Sequence, residues 1–87
     1  MPRGLTLYSR TPDFNEDSVP GKLLDDHQTK KGVWGVIRVL AGALTYTIPS
    51  RDEEVVLTGG QSAVIEPQMP HRVTPIGSVT FHVEFWR

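Results

Sequence analysis

The chain of 87 residues contains no cysteine. That excludes disulfide staples, thiolate nucleophiles and every sulfur-ligated metal site, and it offers no sign of an oxidising compartment. An excess of charge is lacking too: nine Lys and Arg against ten Asp and Glu leave a formal charge of −1. Lys30-Lys31 is the only adjacent basic pair, so there is no basic stripe of the kind nucleic acid requires. No apolar run reaches membrane-spanning length. The opening "MPRGLTLYSRTPDF" has no hydrophobic segment of a signal peptide. These absences set the expectation of a cytoplasmic domain whose partners include neither membrane nor nucleic acid.

What is present fits one domain, residues 1–87. A domain this small buries a modest core, so packing needs support from an oligomer interface, a metal, or both. Residues 1–32 read as a polar, irregular N-terminal arm broken by Pro2, Pro12 and Pro20. Leu5, Leu7, Leu23 and Leu24 are its apolar anchors, and "LTLY" suits a short edge strand.

From Val33 the pattern becomes β-rich runs separated by turn signals: "VWGVIRVL", "ALTYTI", "VVLT", "SAVIE", "HRVTPI" and "SVTFHVEFW". Gly42 suits a tight reversal between the first two, and Gly59-Gly60 a turn before the fourth. In the last run Val79, Phe81, Val83 and Phe85 alternate on one face. Six short strands in residues 33–87 predict an all-β, antiparallel sandwich or barrel.

Three histidines carry the candidate chemistry. Pro67 and Pro70 stiffen the approach to His71, which preorganises a ligand. His27 lies at the mouth of the strand that begins at Val33. Neutral imidazole is the commonest metal ligand, and two such rings from separate segments can share one ion. The competing reading makes each an ordinary loop residue. His82 is the third metal-ligand candidate by residue type, and Glu66 a further oxygen donor. Strand parity opposes His82, because Phe81 and Val83 should face the core and turn His82 and Glu84 outward or into a dimer interface. Trp34, Tyr46 and Phe81 are the candidates to line a pocket. Core filling is the competing role for aromatics in a small domain, and is preferred for Phe81 and Phe85.

The stretches "HQTKKGVWGVIRVLAGALTY" and "VIEPQMPHRV", with the opening "TPDFNEDSVPGKLL", resemble the N-terminal domain of the tellurite-resistance protein TehB and the stand-alone YeaR-like group. The resemblance runs from about Leu5 to Trp86. It implies a cupin-type barrel (a double-stranded β-helix, or jelly roll) whose mouth can hold a divalent metal. Against the generic cupin motifs, His27 resembles the first-motif histidine and His71 the second-motif one. The second His of the first motif is absent, and Gly35 stands about where its Glu would be. Sulfur-free ligation by histidines suits Zn, Ni, Fe or Mn. The expected function is metal-dependent binding or sensing of a small molecule or oxyanion in a stress response. The alternatives are a metal-dependent cupin enzyme, an oxygenase or isomerase, and a dimerisation module without a site. An 87-residue stretch has no room for the methyltransferase domain of full-length TehB, so methyl transfer is not expected of it. Edge strands that need cover predict a homodimer, with "EFWR" as a contact surface.

Overall fold

A computed structural model describes all residues, 1–87. The elements in chain order are β1 (Leu7–Arg10), β2 (Phe14–Asn15), a single helical turn α1 (Gly21–Leu24), β3 (Trp34–Ile48), a 3-10 turn (Pro49–Arg51), β4 (Glu53–Thr58), β5 (Ser62–Ile65) and β6 (Arg72–Trp86). All strands join one antiparallel sheet in the order β1-β6-β3-β4, with β2 added to β6 and β5 added to β3. No helix is long and apolar enough to cross a membrane.

The reversal expected at Gly42 does not occur. β3 runs unbroken through fifteen residues, as does β6. The two stay paired along almost their whole length, from Trp34 opposite Trp86 to Thr47 opposite Arg72. The register slips at two places instead, between Val39 and Ala41 and between Gly42 and Ala43. Such bulges bend a strand without ending it. Gly42 takes φ +75°, and a Cβ placed there would lie 2.0 Å from the Ser78 carbonyl oxygen. The glycine is therefore needed for close backbone approach at the bend. Glu16 reaches in from the arm, and its Oε1 accepts the Val79 amide at 2.9 Å.

The bend lets both long strands serve two halves of a rolled sheet. In one half, residues 34–39 of β3 lie between β5 and residues 81–86 of β6. In the other, residues 43–48 lie between β4 and residues 72–76 of β6. Pro75 falls in that part of β6, where only β3 is a neighbour. A proline's missing N–H is tolerated on such an edge. The core draws on both halves: Ile37, Val39, Ile65, Phe81 and Val83 from the first meet Leu44, Tyr46, Ile48, Leu57 and Val73 from the second. The arm is more ordered than its sequence suggests, since β1 and β2 extend the sheet along β6. Phe14 packs edge-on against Phe81 with ring centroids 5.8 Å apart.

Candidate functional site

Two of the three histidines converge. His27 and His71 form an isolated antiparallel bridge between the arm and the approach to β6. Each backbone N–H donates to the other's carbonyl, at 2.9 and 2.8 Å. Their rings lie with centroids 4.1 Å apart. The arm is fastened nearby by Gln68 N–H donating to the Thr29 carbonyl at 3.1 Å and by an Arg72–Asp26 ion pair at 2.7 Å.

The hydrogen bonds set which ring nitrogens are free. His71 Nδ1 faces the Met69 carbonyl at 2.8 Å, and His27 Nδ1 faces the Asp25 carbonyl at 3.3 Å. A carbonyl only accepts, so each Nδ1 carries the proton and each neutral ring keeps its lone pair on Nε2. His71 is 2% exposed. Burial holds its pKa below the ordinary 6.5, helped by the nearby His27 and opposed by the Met69 bond and Asp26. Behind it Tyr46 sets a ring edge against His71, centroids 5.8 Å apart, and its hydroxyl donates to the Val64 carbonyl. Burial pushes the Tyr46 phenol up to about 12, so it stays neutral.

Both histidines line a cavity of about 560 Å³ between the arm and the barrel. Its inner wall is apolar and comes from the sheet: Ile37, Ile65, Val73, Val83 and Phe85. The arm supplies Tyr8, Phe14 and Leu23, with Lys22 and Lys30 as its lysines.

The remaining site expectations meet a different geometry. His82 does not join the other two; its backbone pairs with Arg38 on the opposite sheet face to Phe81 and Val83. It is buried there, at 5% exposure, where parity predicts an outward or interfacial residue. Its Nε2 lies 3.2 Å from Glu84 Oε2, and its Nδ1 sits 3.6 Å from Asp13 Oδ1 without a hydrogen bond. Arg38, Glu84 and Asp13 thus surround it. Glu66 is engaged by Arg51. No third His, Cys, Asp or Glu forms a metal-sized group with His27 and His71.

None of Trp34, Tyr46 and Phe81 lines this cavity, a correction with a reason in each case. Phe81 is wholly buried in the core. Trp34 pairs with Trp86, on the sheet face away from Gly35 and Phe85. Tyr46 stands behind His71 and borders a separate hollow beside Arg51 and Glu53. Phe85 takes the lining role, a place its alternation with Phe81 and Val83 permits. Phe14 and Leu23 carry no periodic signal that could have marked them. At Gly35, the Ile65 side chain lies 3.1 Å from where a Cβ would be. The space beside position 35 is thus taken by the apolar Ile65 side chain.

Residues 9–83 match the TehB-like domain family. A Haemophilus influenzae protein named as a probable S-adenosyl-L-methionine-dependent methyltransferase, TehB, is 31% identical over 78 residues. The match covers 84% of this chain and 27% of that protein, so the chain spans little more than a quarter of its relative's length. A crystal structure of TehB from Haemophilus influenzae superposes with a TM-score of 0.84 at 27% identity, covering 99% of this chain and 32% of the other. A crystal structure of a protein from Escherichia coli K12 gives a TM-score of 0.88 at 24% identity, covering 100% and 94%. A cupin-2 domain protein from Shewanella frigidimarina gives 0.61 at 17% identity over 92% and 64%, a likeness of fold.

Proposed function

The chain belongs to the TehB-like domain family, and on that premise we propose that it is a ligand-binding cupin-type domain whose cavity takes a small molecule or oxyanion beside His27 and His71. One observation carries the reading: two imidazoles from distant segments lie side by side on the cavity wall, each with Nδ1 turned to a backbone carbonyl. An Nδ1–H held by a carbonyl orients a histidine as a metal ligand and leaves Nε2 to bind.

The donor set fits a divalent metal in part. His27 and His71 would hold Zn, Ni, Fe or Mn, yet two nitrogens are one short of the three protein ligands of a catalytic zinc site. When bound, the ion would supply Lewis acidity and open positions for a ligand's oxygens. The chain's own part is to keep His71 neutral through burial, to fix both rings by their Nδ1 bonds, and to shield the cavity with the arm. Binding is favoured over turnover because no carboxylate lines the cavity to pair with the imidazoles as an acid or base. The methyl transfer named for TehB belongs to a protein of which this chain spans 27%, and the reading takes nothing from it. The family's link to tellurite resistance makes oxyanion stress a reasonable setting.

Calorimetric titration of metal-stripped protein with Zn(II) and Ni(II) tests the metal part. Wild type should bind one ion per chain, and His27→Ala should weaken that about tenfold or more. Equal affinity in the variant, or no binding by wild type, removes the metal from the proposal.

A further inference from the structure

We infer that the cavity selects a small organic acid, a carboxylate carried on an apolar body. This rests on the reading above, that the cavity is a binding site, and narrows what it admits. Eighteen residues line the cavity and none is Asp or Glu, while Lys22 and Lys30 are both among them. Three acids of the arm are committed elsewhere: Asp13 to Arg10, Asp26 to Arg72, and Glu16 to the Val79 amide; Asp17 and Asp25 are exposed and outside the lining. An entering anion therefore meets cations without a competing carboxylate, which raises its local concentration.

The opposite wall asks for something else. Ile37, Ile65, Val83 and Phe85 form it, with Phe14 across from them on the arm. Ile37 and Ile65 are 0% and 2% exposed, so they back the wall from the core, and the half-buried Phe85, Phe14 and Leu23 supply its accessible apolar surface. A bare inorganic oxyanion is strongly hydrated and gains nothing from such a wall. A neutral hydrocarbon gains from it but leaves the lysines unused. A molecule with an apolar body and one carboxylate satisfies both sides. The volume of about 560 Å³ lies within the range usual for small-molecule sites.

The histidines refine the orientation. With Nδ1 donating to Met69, neutral His71 offers a lone pair to the cavity, which repels a carboxylate. Recognition of the charge falls to Lys22 and Lys30, and the imidazole pair is left for a metal or for a hydroxyl on the ligand body.

The test is a set of matched probes titrated into metal-stripped protein and followed by the methyl NMR signals of Ile37 and Ile65. Benzoate and 3-methylbutanoate are compared with benzamide, 3-methylbutanamide, and the bare oxyanions sulfate and tellurite. At least one acid should bind in the cavity about fivefold tighter than its amide and than either bare oxyanion. The exposed pair Lys22→Ala/Lys30→Ala should erase that preference, bringing the acid's affinity down to that of its amide. Absence of acid binding, amides that bind equally well, or a preference that survives the double substitution overturns the inference. A zinc titration of the same samples separates the two proposals. Zinc binding without acid preference sinks the organic acid alone; acid preference without zinc binding sinks the metal alone.

Discussion

His27 and His71, forty-four positions apart in the chain, exchange both hydrogen bonds of a β-bridge and bring their rings to 4.1 Å between centroids. The contact is at once the seam between arm and barrel and the wall of the cavity. The ring of His71 is also part of the buried interior, so whatever alters it acts on stability and on the site together.

Protonation is one such change. The folded pKa of His71 lies below its ordinary 6.5, chiefly through burial. Between those two values the unfolded chain binds more protons than the folded one, so stability rises with pH. The contribution is fully present above 6.5 and is lost as pH falls from there through the folded value. Thermal unfolding from pH 7.5 down to 5 should show a falling Tm in wild type and a shallower fall in His71→Phe. Parallel curves would show that His71 stays neutral at no cost.

Truncating the two rings should have unequal effects. His71→Ala removes a side chain that is 2% exposed, together with its 2.8 Å bond to Met69. A loss of about 2–4 kcal/mol is expected for such a buried deletion. His27 is half-buried, and its Nδ1 contact is long at 3.3 Å. Its backbone bridge survives truncation, so His27→Ala should cost under about 1 kcal/mol. Urea unfolding of both variants checks the order, and a reversed order would mean that the seam depends on the arm's ring.

Gly42 and Gly77 separate conformational strain from steric clash. Both have positive φ, at +75° and +62°. A Cβ on Gly77 meets nothing within 4 Å, whereas one on Gly42 meets the Ser78 carbonyl oxygen at 2.0 Å. Gly77→Ala should therefore cost only the left-handed penalty of about 1–2 kcal/mol. Gly42→Ala should cost well beyond that, or yield no folded protein, as read by circular dichroism and denaturant midpoint. Similar losses for both would mean that the β3 bend can move away from Ser78.

Alternation made the barrel legible, because a period of two assigns each strand residue a face without knowledge of its partner. Phe81 and Val83 are inward and His82 is opposite them, as that rule requires. The bend in β3 was not legible, since "LAGA" reads equally well as a turn or as a bulge; the close approach of Ser78 decides it. The pairing of His27 with His71 was reached through their positions at strand mouths and the family motifs. The burial of His82 was hidden, because it depends on Arg38 and Asp13, from elsewhere in the chain, closing around a side chain on the sheet's outer face. The cavity's aromatic and cationic lining was hidden for a similar reason: Phe14, Lys22 and Lys30 belong to an arm with no repeating pattern.

That outer cluster allows distance and burial to be told apart. Arg38–Glu84 and Arg10–Asp13 are both 2.8 Å ion pairs, but the Glu84 side chain is 11% exposed and that of Asp13 is 49%. Burial pushes the Glu84 carboxyl up, yet donation from Arg38, His82 and Trp86 outweighs it and leaves the pKa below 4.5. Its contribution is thus present above pH 4.5 and lost as pH falls through the folded value. Glu84→Gln turns an amide donor toward groups that already donate, and should cost about 1–3 kcal/mol at neutral pH. Asp13→Asn, at a half-exposed pair, should cost under about 1 kcal/mol. Double-mutant cycles with Arg38→Ala and Arg10→Ala should give a large coupling for the first pair and a small one for the second. The first should also weaken below pH 4.5, and the second should fade with added salt. Equal couplings would mean that Glu84 is as well solvated as Asp13, and that the packing around His82 opens in solution.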